Sequence, residues 1–178
     1  MKSLLIGLFV AAAGIALANA DEPLRVGDPA PDFSLPYATR DSVAHDPVTL
    51  SSLVGKRNVV LAFYPADWSG GCTKEVCTLR DNFSSLGAVN ADVIGLSGDY
   101  VYSHYEWAKF HNLPFRLASD HDHAVAKKYG SFNEANGYNR RTVFAVDKQG
   151  KIAYIDLAYS PRDSVSFGKL QVALKSLK

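Results

Sequence analysis

Residues 65–80 read Pro-Ala-Asp-Trp-Ser-Gly-Gly-Cys-Thr-Lys-Glu-Val-Cys-Thr-Leu-Arg and hold both cysteines of the chain, Cys72 and Cys77. The preceding segment, Asn58–Tyr64, is apolar and rich in β-branched and aromatic side chains, which predicts a buried strand. After Cys72 the apolar residues recur at intervals of three and four as far as Leu86, which predicts one face of an amphipathic helix. Cys72 is therefore expected in the first turn of a helix, where unpaired N–H groups and a partial positive charge favour a thiolate.

The first 20 residues are typical of a secretory signal peptide. Lys2 supplies the positive charge, Leu4–Leu17 is apolar and rich in alanine, and residues 18–20, Ala-Asn-Ala, form a small-x-small cleavage site. The apolar run is shorter than the ~20 residues that a membrane span needs. We therefore expect cleavage before Asp21 and export to the periplasm or the medium, with no membrane attachment of the mature chain.

Residues 21–178 have the length and charge of one globular domain. About 158 residues are enough to bury a substantial core. Without Lys2, 18 basic residues balance 18 acidic ones, and no long basic run interrupts the sequence. Binding to nucleic acid or to an anionic membrane surface therefore has no electrostatic basis.

Strand and helix patterns alternate along this domain. Short alternating pieces at Phe33–Leu35 and Val48–Leu50 predict a hairpin across the polar loop at 37–46. Further strands are predicted at Asp92–Ser97, Phe115–Ala118, Thr142–Val146 and Ile152–Leu157, and further helices at Tyr100–His111, Ala124–Tyr129 and Arg162–Leu177. This order predicts an α/β domain with a mixed central sheet and helices on both faces.

The cysteine segment resembles the Pro-x-x-x-Thr/Ser-x-x-Cys signature of peroxiredoxins, with Pro65, Ser69 and Cys72 at the matching positions. Three further segments are similar to that family and come in the same order: 26–33, 113–120 and 141–147. A second cysteine five residues after the first resembles the bacterioferritin-comigratory, or peroxiredoxin Q, branch. The chain departs from the commoner signature at three positions: Trp68 for phenylalanine, Ser69 for threonine and Gly70 for proline.

The resemblance implies a thioredoxin-like fold and thiol-dependent reduction of hydrogen peroxide or organic hydroperoxides. By the same resemblance, Cys72 is the peroxidatic cysteine, Cys77 is the resolving cysteine, and Arg141 is the arginine beside the thiolate. It also implies recycling by an external thioredoxin-like dithiol protein and no metal or organic cofactor. We expect a monomer or weak homodimer, and the sequence does not decide between the two.

The chemistry of these residue types is compatible with such roles. Arg141 begins a predicted buried strand and keeps its charge, so it either holds the thiolate and a peroxide oxygen or faces solvent at a strand end. Ser69 is either an N-cap for the Cys72 amide or a donor to the attacked oxygen. Pro65 either shields the thiolate or simply ends the strand. Glu75 is interpreted as a helix-start residue outside the site.

The spacing of Cys72 and Cys77 argues against a structural disulfide, which is the usual interpretation of a cysteine pair in an exported protein. Residues five apart in a regular helix are separated by ~7.5 Å along the axis and by ~140° around it. Their Cα atoms are then roughly 8.6 Å apart, beyond the ~7 Å limit for a disulfide. We therefore expect both thiols to be free in the helical form, and the helix to unwind when they join.

Two other functions are compatible with parts of the sequence. A general thiol–disulfide oxidoreductase has the same fold, although such proteins rely on Cys-x-x-Cys and four residues intervene here. A metal-binding protein would use the run Asp-His-Asp-His at 120–123 with His104 or His111. That run is more simply interpreted as a polar turn with helix-capping groups.

Overall fold

The computed structural model describes residues 22–88, 90–162 and 164–177. The predicted signal peptide, residues 1–20, lies outside these ranges. No helix within them is long and apolar enough to cross a membrane.

The elements follow the predicted alternation of strands and helices. The strands are β1 (Ser34–Leu35), β2 (Tyr37–Ala38), β3 (Val48–Thr49), β4 (Asn58–Phe63), β5 (Ala91–Ser97), β6 (Arg116–Ser119), β7 (Phe132–Asn133), β8 (Tyr138–Asn139), β9 (Thr142–Val146) and β10 (Ile152–Asp156). The helices are α1 (Gly70–Asp81), α2 (Phe83–Ala88), α3 (Val101–Phe110), α4 (Ala124–Lys128) and α5 (Ser164–Ser176).

A mixed sheet forms the centre of the described part of the chain, in the strand order β10-β9-β4-β5-β6-β2. β4 is parallel to β5, and β5 is parallel to β6, whereas β9 runs antiparallel to both β4 and β10. All of β4 is buried, as expected for a strand that is covered on both faces. The predicted mixed α/β sheet is therefore confirmed.

Alternate residues of β4 point to opposite faces of the sheet. Val60 and Ala62 belong to an apolar cluster that also contains buried residues of α1, α2, α3 and α5. Val59 and Leu61 belong to a second cluster, which α4 covers together with residues from the chain before β4. Helices thus cover both faces, as predicted, with α1 and α3 on the same side.

The cysteine helix is shorter than the apolar pattern predicted. α1 ends at Asp81, and Phe83 and Leu86 belong to the separate helix α2. Asn82 stands between the two helices, where its side-chain amide donates to the carbonyl of Thr78 at 2.9 Å. Such a side chain competes with the next helical hydrogen bond and ends the helix, while leaving the apolar spacing unchanged.

The segment before β4 contains one pairing that the sequence did not reveal. β1 and β3 pair antiparallel, which confirms the predicted hairpin. The loop predicted at 37–46, however, begins with β2, which pairs with β6 at the edge of the central sheet. A strand of two residues is too short to produce an alternating pattern in the sequence.

Candidate active site

Cys72 lies just beyond the end of the central strand, where the sequence predicted it. β4 ends at Phe63, a loop follows, and Cys72 is the third residue of α1. Its side chain is fully buried in the cluster under α1. Ser69 is the N-cap, and its Oγ accepts a hydrogen bond from the backbone N of Cys72 at 3.4 Å. The predicted capping role of Ser69 is therefore confirmed.

Arg141 brings a permanent positive charge to the sulfur. Its Nη1 lies 3.2 Å from Sγ of Cys72 and 2.8 Å from Oε2 of Glu75. The contact arises because Thr142, the first residue of β9, pairs with Phe63, the last residue of β4. Arg141 thus faces the site, whereas the neighbouring Arg140 is exposed and contacts the carbonyl of Gly130.

Gly71 provides the space that the guanidinium occupies. A Cβ atom at this position would lie 2.7 Å from Nη2 of Arg141, which is closer than such atoms approach. At Gly70, by contrast, nothing lies within 4 Å of the same added atom. The two glycines therefore differ: Gly71 makes room for the guanidinium, whereas Gly70 borders open space.

The prediction that Glu75 lies outside the site was wrong. Its side chain is fully buried, and Oε2 pairs with Arg141. Oε1 is buried with no hydrogen-bond partner among the described residues. Burial raises the pKa of Glu75 to about 7, against the opposing hydrogen bond and charge of Arg141. The available signal was its position three residues after Cys72 and one before Val76, which places a carboxyl group on the apolar face of the helix.

A buried polar network that the sequence did not reveal holds the loop before α1. Asp67 accepts hydrogen bonds from the hydroxyls of Tyr64 and Ser103, at 2.9 Å and 2.8 Å, and lies 2.9 Å from Nδ1 of His104. The backbone N of Asp67 donates to Asp99 at 2.8 Å. Because these groups come from the residue after β4, from α3 and from the loop after β5, the network ties the loop before α1 to three parts of the fold.

Pro65 follows the last hydrogen bond between β4 and β5. The backbone N of Tyr64 still donates to Leu96 at 3.1 Å, but Pro65 has no N–H with which to continue the ladder. Pro65 is half-buried. The strand-ending role that the sequence suggested is therefore present.

Cys77 lies on α1 in different surroundings from Cys72. It is half-buried, and its Sγ lies 4.0 Å from Nδ1 of His111. Both thiols are free, and α1 is a continuous helix from Gly70 to Asp81. The expected free thiols in a helical form are thus confirmed.

The residues of the alternative metal site are engaged separately. Asp120 caps α4 by accepting from the backbone N of Val125 and Ala126. His121 contacts the carbonyl of Gly98, and His123 contacts Asn139. Within the described ranges, no group of three or more His, Cys, Asp or Glu side chains is placed to hold a metal ion.

Comparison with known proteins agrees with this geometry. The model of the AhpC/TSA family matches residues 26–155, well over half of the chain. The chain belongs to the AhpC/TSA family of peroxiredoxins. This peroxiredoxin is 37% identical over 138 residues to peroxiredoxin bcp of Coxiella burnetii, an alignment that covers 74% of this chain and 87% of that one. It is 36% identical over 139 residues to peroxiredoxin Bcp of Escherichia coli strain K12, with coverage of 75% and 85%.

Two further relatives agree with the branch and the fold. Identity to chloroplastic peroxiredoxin Q of Oryza sativa subsp. japonica is 41% over 130 residues, which is 72% of this peroxiredoxin but 57% of the plant protein. The crystal structure of peroxidoxin BcpB from Mycobacterium tuberculosis matches with a TM-score of 0.77 at 30% identity, covering 87% of this chain and 99% of that one. These relatives place the enzyme in the Bcp and peroxiredoxin Q branch.

Proposed function

We propose that this peroxiredoxin reduces hydrogen peroxide or organic hydroperoxides through the sulfur of Cys72. The observation that carries the proposal is the guanidinium of Arg141, 3.2 Å from Sγ of Cys72 at the capped N-terminus of α1. A guanidinium stays charged at all ordinary pH values, so it stabilises the thiolate before the reaction. It also stabilises the negative charge that develops on the departing oxygen.

In the first step the Cys72 thiolate attacks one peroxide oxygen and the O–O bond breaks. Cys72 becomes a sulfenic acid, and the other oxygen leaves as hydroxide or alkoxide and takes up a proton. The hydroxyl of Ser69, which accepts from the Cys72 amide, carries a proton that it can donate to the attacked oxygen. We expect Pro65, half-buried two residues after the end of β4, to shield the sulfur from water.

In the second step Cys77 condenses with the sulfenic acid to form a disulfide. The continuous helix α1 keeps the two cysteines apart, so this step requires unwinding. Gly70 and Gly71 lie in the first turn, and glycine lowers helix stability by about 1 kcal/mol relative to alanine. Hydrogen exchange over residues 73–79 checks this step: protection should be high in the reduced protein and lost after one equivalent of peroxide. Equal protection in both states, with the disulfide confirmed by mass, would exclude unwinding.

An external thioredoxin-like dithiol protein then reduces the disulfide and returns Cys72 and Cys77 to thiols. The exported compartment follows from Lys2, the apolar run and the Ala-Asn-Ala site. Intact mass of the protein from its native host should show a chain that begins at Asp21. A cytosolic protein that retains Met1 would contradict export.

Substitution of the two cysteines tests the function as a whole. Cys72→Ser should abolish peroxide consumption with dithiothreitol as reductant. Cys77→Ser should consume one equivalent of peroxide as fast as the wild type and should accumulate a sulfenic acid at Cys72 that dimedone traps. The alternative is a general thiol–disulfide oxidoreductase. In that case the wild type should reduce insulin disulfides, and neither it nor the variants should consume peroxide.

A further inference from the structure

The contact between Cys77 and His111 joins two helices next to the site. Cys77 lies in the third turn of α1, and His111 is the C-cap of α3. Nδ1 of the imidazole lies 4.0 Å from Sγ of the thiol, within the range of a hydrogen bond to sulfur. The sequence places the two residues 34 positions apart, so the pair exists through tertiary packing alone.

The resolving step requires that the Cys77 thiol lose its proton. Burial raises the pKa of Cys77, and Asp81 raises it further, while the charge of Arg80 opposes both. Even an ordinary thiol is less than roughly 5% ionised at pH 7. Without help from a neighbouring group, Cys77 is therefore almost entirely the unreactive thiol at neutral pH.

The imidazole of His111 is in the neutral form that can accept a proton from the thiol. Burial and the charge of Arg80 both lower the pKa of His111, so the ring is neutral at pH 7. In the tautomer with its proton on Nε2, Nδ1 presents a lone pair to the sulfur. The titratable groups facing this pair are Arg80 and Asp81 on α1.

The imidazole is held in place from several sides. Nη1 of Arg80 donates to the carbonyl of His111 at 2.8 Å, which joins the turn after Cys77 to the end of α3. The ring lies edge-on to Trp107 and Phe110, with centroids 5.9 Å and 4.9 Å away. Trp68, from the loop before α1, lies on a further side at 6.4 Å.

The same contacts indicate which cysteine moves when α1 unwinds. The turn that follows Cys77 is anchored by the buried side chain of Leu79 and by the Arg80 bond to α3. The first turn contains Gly70 and Gly71, the weakest helix formers apart from proline. Cys72 is thus carried toward Cys77, while Cys77 stays beside the imidazole.

We propose that His111 is a catalytic base of the resolving step, an inference that rests on the proposed peroxidase function. As the Cys77 sulfur attacks Sγ of the Cys72 sulfenic acid, the S–H bond of Cys77 breaks and its proton passes to Nδ1 of His111. The S–S bond forms, the S–O bond of Cys72 breaks, and hydroxide leaves and takes up a proton to become water. The sulfur of Cys77 is oxidised and that of Cys72 is reduced, with peroxide as the oxidant that formed the sulfenic acid.

Rapid quenching of the two steps separates the role of His111 from a structural one. His111→Gln should leave the second-order rate of Cys72 oxidation unchanged and should slow disulfide formation at pH 7 by roughly tenfold or more. The difference should shrink as the pH rises and should vanish above the pKa of Cys77, where the thiol ionises without help. The control is the same substitution in an exposed histidine, His45→Gln, which should match the wild type.

A second experiment requires no peroxide chemistry. In Cys72→Ser, Cys77 is the single thiol of the chain, and its exchange with the disulfide reagent DTNB reads its nucleophilicity directly. Adding His111→Gln should slow this exchange at pH 7, and the deficit should disappear once the pH exceeds the pKa of Cys77. The two hypotheses can fail separately. If peroxide oxidised Cys72 of the wild type only slowly while His111→Gln still slowed the DTNB exchange, the peroxidase function would be overturned but the His111–Cys77 pair would be supported.

Two kinds of result would overturn the role of His111. One is disulfide formation and exchange with DTNB at wild-type rates in His111→Gln at pH 7. The other is a deficit of the same size at every pH, or a slower oxidation of Cys72, because a packing defect would not disappear when the thiol ionises.

Discussion

The two cysteines of α1 share a helix and a residue type, yet they differ in burial and in the side chain that contacts the sulfur. Cys72 is fully buried beside a guanidinium that cannot lose its charge. Cys77 is half-buried beside a neutral imidazole that can accept a proton. A fixed positive charge suits a sulfur that must be a thiolate before substrate arrives, whereas a base suits a sulfur that must ionise later. The difference arises because the two faces of α1 pack against different elements: Cys72 lies beside the start of β9, and Cys77 lies beside the end of α3.

The largest effect on the rate of Cys72 oxidation is expected when the guanidinium of Arg141 is replaced by an ammonium. Arg141→Lys keeps the positive charge but replaces the planar guanidinium, whose Nη1 contacts both Cys72 and Glu75, with a single ammonium on a different stem. Oxidation of Cys72 by peroxide should slow on the order of a hundredfold, the loss typical of one oxyanion donor. Disulfide formation from the sulfenic acid should remain within a few fold of the wild type, as measured by rapid quench. If Arg141→Lys slowed Cys72 oxidation and disulfide formation equally, the surroundings of Cys72 and Cys77 would not act independently.

The next effect concerns Glu75, the buried carboxyl group that pairs with Arg141 beside Cys72, and it is an effect on stability. Because the pKa of Glu75 is raised from about 4.5 to about 7, the folded state binds more protons than the unfolded state between these values. The stability contributed by this raised pKa is present below about pH 4.5 and is lost as the pH rises through about 7, by roughly 3 kcal/mol.

Glu75→Gln should remove that pH dependence. Denaturant unfolding under reducing conditions should show that the free energy of unfolding of the wild type falls, relative to that of the variant, between pH 5 and pH 8. Parallel curves for the two proteins would mean that the Arg141 ion pair fully offsets the burial of the carboxylate.

A smaller effect is expected from the glycine beside the guanidinium. Gly71→Ala places a methyl group in the space of Nη2 of Arg141 and should move the guanidinium off the sulfur, slowing Cys72 oxidation by roughly tenfold. Gly70→Ala is the matched control, since its added atom meets open space and its gain in helix stability is similar. Both variants should slow unwinding, so the oxidation step alone must be compared. Equal oxidation rates in the two variants would contradict a spatial role for Gly71.

The smallest effect is expected at the cap of α1. Ser69→Ala removes the acceptor of the Cys72 amide and should cost about 1 kcal/mol of stability. It should also slow oxidation several-fold if the hydroxyl donates to peroxide, whereas Ser69→Thr should retain most of the rate. Stopped-flow measurements give the rate of Cys72 oxidation, and a thermal denaturation scan gives the change in stability. Oxidation of Ser69→Ala at the wild-type rate would leave Ser69 as a cap and nothing more.

Much of the fold was predictable because its signals are local. The buried strand β4, the strands β9 and β10 and the helix start at Cys72 each depend on a dozen residues or fewer. The break at Asn82 was missed because a side-chain cap leaves the apolar spacing intact. The strand β2 was missed because two residues carry no period.

By itself, the sequence determined which cysteine lies at the start of a helix and that its partner, five residues on, cannot reach it while the helix is intact. Both conclusions follow from the geometry of one element. The resemblance to a family named Arg141 as the neighbour of Cys72, but only the tertiary structure shows how the groups around each sulfur are brought there. Arg141 reaches Cys72 across 69 positions because β9 pairs with β4 in one register, and His111 reaches Cys77 because α3 ends beside α1. Such contacts depend on packing between elements, which no local pattern encodes.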